Sequence, residues 1–60
     1  MSDRFIKIED VETMVSLKKS AIYDWIKAGS FPRQYKLGKA SRWKESEIVD
    51  WMNAQVQRSA

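Results

Sequence analysis

Apolar residues recur along this chain at intervals of three and four, break, and recur again. The pattern predicts three helices with one alternating stretch between the second and third. Phe5, Ile6 and Ile8 form an apolar entry to the first helix. Val11, Met14 and Val15 then follow at i, i+3, i+4, which places that helix at about residues 9–15. Ser16 breaks the pattern, and Leu17 is apolar enough to plug the space between two helices. A second helix is predicted over residues 18–28. At ~100° per residue, Ile22, Trp25 and Ile26 fall on one buried stripe, while Ser20, Tyr23, Asp24 and Lys27 fall on the far side. Gly29 suits the left-handed stop after a helix. Pro32 pushes Phe31 into an extended form, so the chain leaves cleanly.

Polarity alternates in Tyr35-Lys36-Leu37 and again in Ser41-Arg42-Trp43, which predicts two strands joined by a Gly38-Lys39-Ala40 loop. In that register Leu37 and Trp43 point to the core, Lys36 and Arg42 point out together, and Lys39 sits at the tip. Residues 45–57 make a third helix with Ile48, Trp51, Met52 and Gln55 inward, flanked by Val49 and Val56. The expected fold is mostly α with a small β-hairpin: a winged helix-turn-helix of three helices and a two-stranded wing. It fills one domain over residues 1–60, with loose ends at 1–4 and 58–60.

Composition narrows the class. Sixty residues bury only ~60% of their unfolded surface, so the stability margin is thin. There is no Cys for disulfides and no Cys or His for a structural zinc, so packed apolar side chains must carry the fold. The polar start Met1-Ser2-Asp3-Arg4 does not read as a signal peptide, and no apolar run approaches the ~20 residues that span a membrane. A cytoplasmic chain without a membrane partner is expected. Catalysis is not, because the chain has no His, no Cys and no Gly-rich phosphate loop. No cofactor or metal is expected either. Glu9, Asp10 and Glu12 read as helix-terminus charges.

Charge is segregated. Residues 18–44 hold eight Lys and Arg against Asp24 alone, a balance of +7, and the rest of the chain balances at −4. Such a segment suits a polyanion, although charges also simply solvate small surfaces. A helix of this size enters the DNA major groove. Its groove face comprises Lys18, Lys19, Ser20, Tyr23, Asp24 and Lys27. Two lysines at the helix N-terminus oppose its dipole, which makes sense where an anion docks at that end. The Tyr23 hydroxyl either bonds a phosphate or its ring packs over the hairpin. Asp24 either accepts from a cytosine or holds Lys19 or Lys27. Lys36, Lys39 and Arg42 form the clamp, which either straddles the backbone beside the groove or enters the minor groove. Trp25, Trp43 and Trp51 fall on inner faces and read as core rather than as stacking platforms for single strands.

Ser20-Ala21-Ile22-Tyr23, Trp25-Ile26-Lys27-Ala28-Gly29, Phe31-Pro32, Leu37-Gly38, Arg42-Trp43 and Glu45-Ser46-Glu47-Ile48-Val49-Asp50-Trp51 together resemble the AlpA family of phage and prophage regulators, relatives of the MerR-like excisionases. The order and spacing of these pieces carry the resemblance, over about residues 5–52. It implies a winged helix-turn-helix whose recognition helix is residues 18–28 and whose wing is residues 35–43. It also implies regulation of transcription near an integrase gene, or excision by bending attachment-site DNA. Relatives usually carry Ser or Thr at the Lys18 position, often Thr at Ala21, and often a basic residue at Asp24. The expected partner is double-stranded DNA, joined by a phage integrase and by further copies as a dimer or a cooperative array. The competing reading is a protein-interaction module that binds or inhibits an integrase.

Overall fold

Lys7, in an extended conformation, opens helix α1 (Ile8–Val15), and Glu9 and Asp10 occupy its first turn, where the positive end of the dipole favours them. The computed structural model describes residues 3–59, so residues 1, 2 and 60 of the expected loose ends lie outside it. α1 ends at Ser16, which takes the left-handed conformation at φ 57°. Its N–H donates to the Glu12 carbonyl at 2.8 Å. That turn leads at once into α2 (Lys19–Lys27). α2 closes as the glycine pattern predicts: Gly29, at φ 80°, donates to the Ile26 carbonyl at 3.0 Å, and Ser30 donates to Trp25 at 2.8 Å. Those two bonds are a Schellman motif, and they satisfy carbonyls that the helix end would otherwise orphan.

The sheet has three strands rather than two. β1 (Phe5–Ile6), β2 (Tyr35–Leu37) and β3 (Ala40–Lys44) run antiparallel in the order β1-β3-β2. Phe5 pairs with Lys44 and Ile6 with Trp43. Two residues are too short to show an alternation, which is why they read as the approach to a helix. β2 and β3 pair Tyr35 with Arg42, Lys36 with Ser41 and Leu37 with Ala40. The loop is therefore Gly38-Lys39, one residue shorter than expected. Gly38 alone carries a positive φ, 66°, as a two-residue turn of the II′ kind requires at its first position. Lys39 stands at the tip as predicted.

The shorter loop changes which residues share a face, because a one-residue change of register sends a side chain to the other side of a sheet. Trp43 and Ile6 are buried on the inner face, while Leu37, expected in the core, points outward and is 46% exposed. Lys36 shares the Trp43 face and Arg42 lies opposite, so those two do not point out together.

α3 (Glu45–Ser59) follows β3 without a loop. Its start is held from a distance. Asp3 accepts from the Ser46 N–H at 3.1 Å and its hydroxyl at 2.8 Å, and the Arg4 carbonyl accepts from the Glu45 N–H at 2.9 Å. Asp3 and Arg4 are thus tied down at the foot of α3. Ile6, Val11, Ile22, Phe31, Trp43 and Ile48 form the buried core, one from every element but β2 plus Phe31 from the stretch after α2, with Leu17 packed against it from the turn. Of the three Trp, only Trp43 is fully buried. Trp51 is half-buried, donating to the Ser30 carbonyl at 2.8 Å. Trp25, expected inside, is 39% exposed and packs against Trp51 at 5.6 Å. The deep position beneath α2 belongs to Ile22, and Trp25 lies to one side of that row, where it meets α3.

Candidate nucleic-acid interface

The geometry of α2 sorts its side chains cleanly. Ile22 is sealed in the core, and Lys18, Lys19, Ser20, Tyr23, Asp24 and Lys27 are exposed. The turn before α2 explains how its basic N-terminus is tolerated. Lys18 is the N-cap residue but makes no side-chain cap. Instead Glu12, reaching from α1, accepts from the Lys19 N–H at 3.0 Å. The anion expected at this helix end is thus a carboxylate of the chain itself, at least for that donor.

The Tyr23 ring lies 6.1 Å from that of Trp43 and packs over the sheet, and the residue remains 38% exposed. That contact also orients the wing relative to α2. Trp43, Ser41 and Lys36 share one face of the β2–β3 hairpin, the face on which Tyr23 of α2 meets Trp43. Lys36 and Ser41 therefore lie on the same face of the hairpin as that contact, with Lys39 beyond them at the turn. Arg42 lies on the other face beside Tyr35, and its guanidinium donates back to the Ser41 carbonyl at 2.8 Å.

Asp24 holds neither Lys19 nor Lys27: among the described residues the ion pair is Arg4 with Glu45, at 3.1 Å. Asp24 lines a shallow open groove with Tyr23, Ile26, Lys27, Gly29 and Arg33. Arg33, which lines this groove, was not among the expected residues because it sits in the irregular stretch after Pro32, where no periodicity assigns a face. Its place within the basic segment was the available signal.

Behind the wing, two groups titrate away from their ordinary values. Hydrogen bonds from the Ser46 hydroxyl and N–H lower the Asp3 carboxyl below its usual 3.8. The Tyr35 hydroxyl is pushed above 10.0, because it donates to Glu47 at 2.9 Å and deprotonation would set two anions side by side. Both belong to the scaffold that fixes α3 against the sheet.

A tight turn between two helices, an exposed second helix and a hairpin that prolongs its surface define a small winged helix-turn-helix protein. The chain belongs to the AlpA family: the family model described as "Prophage CP4-57 regulatory protein (AlpA)" matches residues 4–56. It is also similar to the "Uncharacterized protein ORF88" of Enterobacteria phage P4, with 36% identity over 55 residues, 90% of this chain. The chain spans about three-fifths of that relative's length, 62%. No solved structure matches it. The family is one of prophage regulatory proteins. No helix among the described residues is long and apolar enough to cross a membrane.

Proposed function

We propose that this chain is a sequence-specific, double-stranded DNA-binding regulator of a prophage or integrative element, acting on integrase expression, on excision, or on both. One observation carries the reading: the cations of residues 18–39 are all exposed, Lys18, Lys19 and Lys27 on or beside α2, Arg33 in the stretch that follows, and Lys36 and Lys39 on the hairpin, while most of the acids lie on α1 and the first half of α3. In this arrangement α2 lies in the major groove. Ser20 and Lys27 read base edges, Lys18, Lys19 and Arg33 meet phosphates, and Asp24 is the candidate partner for a cytosine amino group. Lys36 and Lys39 form the clamp over the adjacent backbone. Arg42, on the outer face of the sheet, is left out of it.

The test is a fluorescence anisotropy titration of attachment-region and integrase-promoter duplexes at several salt concentrations. Each neutralised phosphate contributes ~0.9 to the log–log slope. A slope near zero would overturn the proposal. Exchanging Ser20 or Lys27 is expected to change sequence preference, whereas Lys39→Ala weakens binding to every duplex alike. A second reading, an integrase-binding module, draws support from the exposed side chains of Tyr35, Val49 and Val56. Capture of an integrase by the chain in the absence of DNA is the outcome that favours it.

A further inference from the structure

Helices favour acids in their first turn, and α2 has none there. Lys19 opens it, and Lys18 stands at its N-cap without a side-chain bond. The compensating acid comes from the preceding helix. Glu12, half-buried on α1, places its Oε2 3.0 Å from the Lys19 nitrogen and accepts that N–H. The left-handed turn at Ser16 brings the two together, although they stand seven residues apart.

Two lysines flank this carboxylate, and neither pairs with it. Among the described residues the ion pair is Arg4 with Glu45. The Glu12 charge is therefore held by a backbone donor, and the Lys18 and Lys19 side chains stay exposed and free of it. One negative charge thus stands beside two positive ones, at the end of α2 that meets phosphates in the DNA-binding arrangement.

Resting on that DNA-binding reading, we infer that Glu12 acts on DNA affinity in two opposed ways. As an acceptor it fixes the amino end of α2, and as a charge it holds the affinity down. Glu12 is a positioning residue, since it works through α2 and through its field rather than by touching DNA. A carboxylate ~10 Å from a phosphate lies within one Debye length at 0.1 M salt, and its repulsion is on the order of RT. Such a repulsion falls on every duplex alike. It shortens residence on bulk DNA and leaves the choice of sequence to the groove face.

The experiment compares the parent chain with Glu12→Gln, Glu12→Ala and Asp10→Asn by fluorescence anisotropy, on an attachment-region duplex and on an unrelated one, at several salt concentrations. Urea midpoints establish that each variant is folded under the binding conditions. Glutamine keeps the acceptor and loses the charge, so Glu12→Gln should bind both duplexes about threefold more tightly. That gain should shrink as added salt shortens the Debye length from ~10 Å at 0.1 M. Alanine loses the acceptor as well, so Glu12→Ala should bind more weakly than Glu12→Gln. Asp10, two residues away, lies on the opposite side of α1, and Asp10→Asn removes the same formal charge with a smaller gain. A Glu12→Gln chain that binds no more tightly than the parent overturns the inference, because a purely structural cap predicts that result. Equal affinities for Glu12→Gln and Glu12→Ala overturn the positioning role. An equal gain for Asp10→Asn overturns the local effect of the charge in favour of net charge alone. A parent chain without a salt slope refutes the DNA-binding reading and, with it, any effect of Glu12 on DNA. A parent chain with a clear slope beside an unimproved Glu12→Gln refutes the role of Glu12 alone.

Discussion

Ser16 shows how much one backbone position decides. The turn between α1 and α2 needs a left-handed residue, and the chain places there a serine, whose Cβ makes that conformation cost about 1 kcal/mol. Ser16→Gly removes the clash but frees the unfolded chain, so a net gain on the order of 0.5 kcal/mol is expected in urea denaturation. Ser16→Val, β-branched and strained in the same place, should lose more than about 1 kcal/mol. Equal midpoints for all three chains would mean that the turn relaxes out of the left-handed region. The neighbouring cap makes a second residue-scale case. Glu12 accepts from the Lys19 N–H across the turn, so Glu12→Ala should cost about 1 kcal/mol, and Glu12→Gln, which keeps an acceptor, less. Neither contact follows from periodicity. A serine breaks a pattern whatever its φ, and a carboxylate in α1 gives no sign that its partner is seven residues on.

The helices were largely legible because each buries one stripe, and a stripe of Ile, Val and Trp stands out against charged neighbours. The sheet was legible in part. Alternation located β2 and β3, but alternation alone does not count loop residues, and one residue decided which side Leu37 and Lys36 face. β1 is too short to carry a pattern, and its pairing is set by Trp43 and Lys44 far along the chain. The tie between Asp3 and the start of α3 was equally out of reach, since it joins the two ends of the sequence. That tie has a pH signature. The folded-state pKa of Asp3 is lowered below 3.8, so its contribution is present above that value and is lost as pH falls through the folded value. Asp3→Asn should therefore be less stable than the parent near neutral pH. The difference should shrink once pH is well below 3.8, as measured by urea midpoints at the two conditions. A constant difference across that range would assign the effect to packing rather than to the charge.

At the scale of the molecule, charge segregation was visible in the sequence, but the direction in which each cation points was not. The sequence pattern grouped Lys36 with Arg42; the fold separates them by the thickness of a strand, with Lys36 on the Trp43 face and Arg42 on the opposite face. This makes the clamp testable residue by residue. A cation that neutralises a phosphate releases a counterion, so its removal lowers the salt slope by ~0.9 as well as the affinity. A cation on the opposite face acts only through the screened field, within a Debye length of ~10 Å at 0.1 M salt, and its removal weakens binding without taking a full unit from the slope. Lys36→Ala should thus lose affinity and close to one unit of slope, and Arg42→Ala should lose little of either on a duplex short enough for a single copy. A full slope change for Arg42→Ala on the short duplex would put its side chain around the sheet edge and on the phosphates, and the wing would then clamp with both faces.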